Sequence, residues 1–115
     1  MLRETFEYDN IFAGNVMPVV TESVEVAESQ TIAKYSIVEL DASGKVVFPA
    51  GEIDVNKAYG ITTEAIVTEA GENKPVVLFM TGEFNERKIV VPEGKTIAEY
   101  KPALRKLGIF LKTIV

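Results

Sequence analysis

Pro75 to Pro92 reads PVVLFMTGEFNERKIVVP, and its unbroken apolar run Val76-Val77-Leu78-Phe79-Met80 decides how the rest of the chain can fold. Successive residues of a strand face opposite ways, so apolar side chains at both parities predict an inner strand covered on both faces, in a closed or sandwiched sheet. Gly82 interrupts the run and Phe84 follows two residues later. The simplest reading is a strand that continues through a structural bulge at Gly82 and Phe84 before a polar loop, Asn85 to Lys88. The alternative is a hairpin with Gly82 at the first central position of a type II′ turn.

Upstream, VVTESVEV (19–26) partly alternates and predicts a half-exposed strand, with a turn over residues 27–31. Lys34 to Leu40 and Lys45 to Phe48 predict a hairpin across the turn Asp41-Ala42-Ser43-Gly44. A polar turn around Asp54 to Lys57 leads to Gly60 and a strand over Ile61 to Val67, then to an exposed connection over residues 69–74. Downstream, Thr96 and Glu99 have the spacing of a capping box, and Ile97, Tyr100, Leu104 and Leu107 mark one helical face ended by Gly108. Pro102 predicts a kink, or two helical pieces broken at Lys101. IFLKTIV (109–115) predicts a closing strand that must pair with the sheet or a neighbouring subunit.

Residues 1–20 mix Phe6, Tyr8 and Phe12 with Asn10, Gly14, Asn15 and Pro18 and show no sustained periodicity, which predicts an extended arm. Its apolar content is too high for a solvated tail, so it packs on its own domain or docks on something else. Residues 21–115 read as a single β-rich domain.

The chain has 115 residues, 47% of them hydrophobic, with a net charge of −5 and no Cys, His or Trp. That composition excludes thiol and imidazole chemistry and most transition-metal sites, and the acidic balance argues against direct nucleic-acid binding. No stretch approaches the ~20 apolar residues of a membrane span, and the amino terminus lacks the apolar core of a signal peptide. No phosphate-binding glycine loop, dinucleotide fingerprint, calcium loop or nucleophile elbow is present. Glu22, Glu25, Glu28, Glu69 and Glu72 fall in turns or on outer faces and read as solvated charges, and Lys34, Lys74 and Lys101 as surface amines. No catalytic residue, metal ligand or cofactor is expected. The cluster Gly82-Glu83-Phe84-Asn85 is the one motif that could carry function, and a purely structural role for it is the stronger reading.

With these residues in view the chain resembles the bacteriophage head decoration proteins of the lambda type. The likeness rests on Tyr59-Gly60-Ile61 entering a strand, an acidic connection, the apolar strand ending Thr81-Gly82-Glu83-Phe84, then Pro92, a helix, and a terminal strand closing on Ile114-Val115. Tyr35 stands where many members have a turn glycine. The resemblance implies a mainly β, β-clip-like fold with a small α/β part and one short helix near the carboxy terminus. It implies a homotrimer that stays soluble in the host cytoplasm before assembly and then sits at three-fold positions on the outer surface of an expanded head. There it would cement the virion by binding the major capsid protein. The arm, residues 1–20, would be mobile in the free protein and ordered on the capsid, where it would supply that contact through Phe6, Tyr8, Ile11 and Phe12. The rival expectations are a small β-barrel ligand-binding module or enzyme subunit using surface carboxylates, and an interaction domain that adds an unrelated peptide to a sheet edge.

Overall fold

The computed structural model describes residues 18–113. Its strands are β1 (Val20–Val26), β2 (Thr31–Ile32), β3 (Ile37–Leu40), β4 (Val46–Val47), β5 (Gly60–Thr62), β6 (Ile66–Val67), β7 (Lys74–Asn85) and β8 (Ile109–Lys112). The single α-helix among the described residues, α1 (Ile97–Arg105), comes late in the chain, so the protein is mainly β with one helix near its carboxy terminus.

Five strands close on themselves. β1 pairs with β4 in parallel, β4 with β3, β3 with β5, β5 with β7, and β7 returns to β1, the last four pairings antiparallel. β8 extends the sheet beyond this ring, in parallel with the end of β7. β2 and β6 form a separate two-stranded ribbon.

The closed ring explains the apolar run from which the fold is read. Val76 and Leu78 point inward to join Val26, Ile32, Val38 and Val46 in one core cluster. Phe79 faces the opposite side, where it joins Tyr35, Ile37, Ile61, Phe84, Ile89, Tyr100, Leu104, Ile109 and Leu111 under α1. β3 divides in the same way, Val38 inward and Ile37 outward. Burial on both faces does not extend to Val77, which is 37% exposed. It lies opposite Ser23 on the polar outer side of β1, where no described element covers it.

Several expected elements change length. The strand expected over Ile61 to Val67 is two strands in different sheets, because the Thr63 hydroxyl and N–H both donate to the Val77 carbonyl and end the pairing with β7 there. The strand expected from Lys34 begins only at Ile37. Tyr35 has φ +64°, a left-handed conformation that costs a non-glycine residue about 1 kcal/mol. Thr62 holds this turn in place: its Oγ1 accepts from the Ser36 N–H at 2.9 Å and donates to the Ala33 carbonyl at 3.0 Å. The Tyr35 ring is itself buried in the outer core. The β3–β4 hairpin is as expected, with Asp41 Oδ1 accepting from the Ser43 and Lys45 N–H groups and Gly44 at φ +84°.

α1 has the expected capping box between Thr96 and Glu99, but it is one helix through Pro102, neither broken nor divided. Proline inside a helix costs ~3 kcal/mol. Full burial of side chains such as Tyr100 and Leu104 returns about 1.5–3 kcal/mol each, so packing outweighs the missing backbone bond. Leu107 does not share the buried face. It lies past the helix end, 40% exposed, because the Leu107 N–H turns back to the Leu104 carbonyl and Gly108 at φ +90° redirects the chain into β8.

Candidate functional site

The Gly82-Glu83-Phe84-Asn85 segment is wholly buried and ends β7. The register irregularity expected at Gly82 and Phe84 lies earlier. Val20 pairs with Thr81 and Thr21 with Phe79, so Met80 is the extra residue, its flexible thioether chain packed at the margin of the inner core. No hairpin forms at Gly82 either, since β7 runs on to Asn85.

Gly82 has a different role. It is the first residue of β7 to pair with β8, opposite Ile109, one step after the pairing with β1 ends at Thr81. Its φ is +144°, and a Cβ there would stand 2.7 Å from Phe84 Cζ. The Phe84 ring therefore lies back over the glycine, with its centre 5.0 Å from that of Phe79. Glu83, 4% exposed, accepts from Lys112 Nζ at 2.8 Å, and Asn85 Oδ1 accepts from the Arg87 N–H to start a short 3₁₀ turn, Glu86–Lys88. These contacts are architectural.

The surface carboxylates stay apart. Glu22 accepts from the Tyr59 hydroxyl, Glu25 lies 3.9 Å from Lys45, Glu28 accepts from the Gly71 N–H, and Glu72 faces Lys74. Among the described residues no three acidic, His or Cys side chains gather as a metal would need. Lys34 lies over the Tyr35 ring, and Lys101 pairs with Glu86 at 2.6 Å. The Lys101 and Thr113 side chains both donate to Glu86 and hold its carboxyl below the usual range. That pairing supports the fold above the ordinary carboxylate pKa and fades as pH falls through the lowered one.

Sequence reasoning missed two concavities, one of them lined by Phe48, Pro49, Ala50, Gly51, Ile53, Glu93 and Gly94. A groove of about 480 Å³ lies between α1 and β8, lined by Lys101, Pro102, Arg105, Lys106 and all of β8. The signal was legible in part, since from Lys101 onward the sequence has four cations and no acidic side chain.

Tyr100, 1% exposed on the buried face of α1, has a hydroxyl with no hydrogen-bond partner among the described residues. Burial, reinforced by the charges of Glu39 and Glu99, pushes its pKa up to about 12. Tyr100→Phe is therefore expected to raise stability by about 1 kcal/mol at neutral pH, since it removes a desolvated polar group that no described residue satisfies. A tyrosine ionises on losing its proton, so between its ordinary pKa near 10 and about 12 the unfolded chain holds fewer protons than the folded one. Stability then falls with rising pH by up to ~1.4 kcal/mol per unit from this group. Urea melts at pH 7 and pH 11 check both points: the gain from Tyr100→Phe should widen at the higher pH. A variant less stable than the parent at pH 7 would show that the hydroxyl has a partner.

The arm residues Phe6, Tyr8, Ile11 and Phe12 lie outside the described residues, as do Ile114 and Val115. β1 begins at Val20, inside the span expected for the arm, and the Thr81 hydroxyl anchors its approach by donating to the Pro18 carbonyl at 2.6 Å. No described helix is long and apolar enough to cross a membrane. No protein-family model matches the chain, and no curated protein matches it.

Proposed function

We propose that this protein is a structural cement: a decoration protein that binds the outside of an expanded phage head as a homotrimer at three-fold positions, with residues 1–20 gripping the major capsid protein. The packed interior of the ring is the observation that carries the reading. Val26, Val38, Val46, Val76 and Leu78 fill it, each no more than 1% exposed, which gives a ligand-holding barrel no cavity to work with and turns binding to the outer surface. The order of features around Tyr59-Gly60-Ile61 and Thr81-Gly82-Glu83-Phe84 supports the same reading.

Cementing needs no catalysis. An extended arm adds main-chain hydrogen bonds to an exposed sheet edge, and apolar side chains supply anchors. Three arms on one trimer bind in turn at an effective concentration set by the first, so modest contacts add up to a firm clamp. The test is co-sedimentation of purified protein with expanded and unexpanded capsids. Saturable binding to the expanded form alone is expected, and a protein that ignores both forms would refute the proposal.

The trimer is separately testable. Val19, Val20, Val67 and Val77 are large apolar residues left exposed on a small domain, and subunit association would cover such surface. Light scattering at micromolar concentration should return three times the 12.6 kDa chain mass. A monomer would count against the trimer and against the decoration reading together.

A further inference from the structure

The groove between α1 and β8 has no part in the scaffold described above. Its volume of about 480 Å³ falls in the range of ligand pockets, and it follows the strand residues Ile109 to Lys112 for ~10 Å. Its lining has two kinds of chemistry. The floor is apolar: Ile109 and Leu111 are buried, and the half-buried Phe110 ring and the exposed Pro102 stand beside them. The rest is cationic, with Lys101, Arg105, Lys106 and Lys112. Lys101 and Lys112 are engaged with Glu86 and Glu83, but no carboxylate among the described residues pairs with Arg105 or Lys106. The Arg105 guanidinium lies over the Phe110 ring, 5.7 Å from its centre. Cations in a last helical turn also offset the helix dipole, but that role calls for no apolar trough beside them.

An occupant that uses both chemistries carries negative charge and apolar bulk together on a short extended frame. A lone inorganic anion would meet the cations and leave the floor bare. A nucleic acid would bring a long run of phosphates against a chain of net charge −5. We propose that this groove binds a short acidic segment of a partner protein, with carboxylates on Arg105 and Lys106 and an apolar side chain between them on Phe110 and Pro102. The arginine fork can take one carboxylate in two parallel hydrogen bonds, and Lys106 adds a second charge beside it. Recognition is by side chains. Although β8 is the last strand of its sheet among the described residues, Ile109 is only 1% exposed and leaves little main chain open for strand addition. Charge complementarity then selects the partner, since an acidic segment is repelled by most of this chain and drawn to its basic groove. The site involves none of residues 1–20, so it stands apart from the decoration reading.

The test uses the full-length protein and a short fluorescein-labelled peptide, blocked at both ends, in which glutamate alternates with phenylalanine and valine. Fluorescence polarisation should show saturable binding that weakens about tenfold or more with Arg105→Glu and Lys106→Glu together, and by a smaller factor with Arg105→Gln and Lys106→Gln. Both side chains are exposed, so the variants should keep the parent's circular dichroism. A peptide with glutamine for glutamate, and one with alanine for its apolar residues, should each bind several-fold more weakly, because each leaves half of the lining unused. Lys74→Glu, at the opposite end of β7 from the residues that pair with β8, should leave binding unchanged. No saturable binding, equal affinity for the glutamine peptide, or an equal loss with Lys74→Glu would overturn the proposal and leave these cations as solvent-facing charges. Light scattering should give the same protein mass with and without peptide. A peptide that splits or joins copies of the chain would overturn it too, by making the groove a contact between copies. No capsid enters the assay, so its outcome is independent of the decoration reading.

Discussion

Gly82→Val is expected to lower stability by about 2–4 kcal/mol, the largest effect of a single substitution argued for this protein. Two costs combine. At φ +144° a valine is held in a conformation that L side chains rarely adopt. Its first side-chain carbon also falls 2.7 Å from Phe84 Cζ, and Phe84 is fully buried against Phe79, Tyr100 and Leu104 in the outer core, so the ring has nowhere to retreat. For a domain of this size the melting midpoint should fall by on the order of 10 °C. Gly82→Ala already carries the clashing carbon and should lose a large part of the same amount. Capsid binding at a temperature where the variant remains folded should be unchanged, since the glycine acts through Phe84. A variant that melts like the parent but no longer binds would place Gly82 in the contact surface.

Deleting residues 1–15 should leave a folded protein of unchanged oligomeric state and reduce capsid binding by roughly 10²–10⁴. Among the described residues both core clusters are built from Val24 onward, which is why the described domain is expected to keep its fold. What it removes is Phe6, Tyr8, Ile11 and Phe12, the proposed anchors, from all three arms at once. Circular dichroism and co-sedimentation separate the two effects. Loss of the fold would mean that the arm belongs to the core, and undiminished binding would move the contact onto the domain itself.

Those parts of the fold that depend on local chemistry were readable from the residues. The Asp41-to-Gly44 turn and the Thr96/Glu99 capping box are set within a few residues of their own positions, and each forms as expected. The central strand was legible because the apolar run Val76 to Met80 is short, opens on β-branched residues and is bounded by Pro75 and Gly82. What escaped was decided at a distance. Nothing in VTESVEV tells that one edge of β1 meets Val46 and the other meets β7. Ile61 to Val67 looks like one strand because its apolar residues would serve either sheet, and only the Thr63 contact with Val77 divides it. Tyr35 in a left-handed turn runs against backbone preference and holds because Thr62 and the outer core over-determine it. The groove was half legible: its charges are in the sequence, but the open edge of β8 appears only once the strand order is known.

The ring that β1 and β7 close also sets how the chain must fold. The seam joins Val26 to Lys74 and Val20 to Thr81, so roughly fifty residues have to be gathered before the first of these pairs can form. The hairpin of β3 and β4 needs only its own turn and can form in microseconds, but it has no covered face until the ring shuts. Most of the native contacts are long-range, which puts folding in the slow, non-local class of β proteins rather than among fast helical domains. On the ribosome the order is stricter still. β1 emerges early, and its partner strand follows only after the whole of β2 to β6 has been made, so closure of the ring waits on the synthesis of β7.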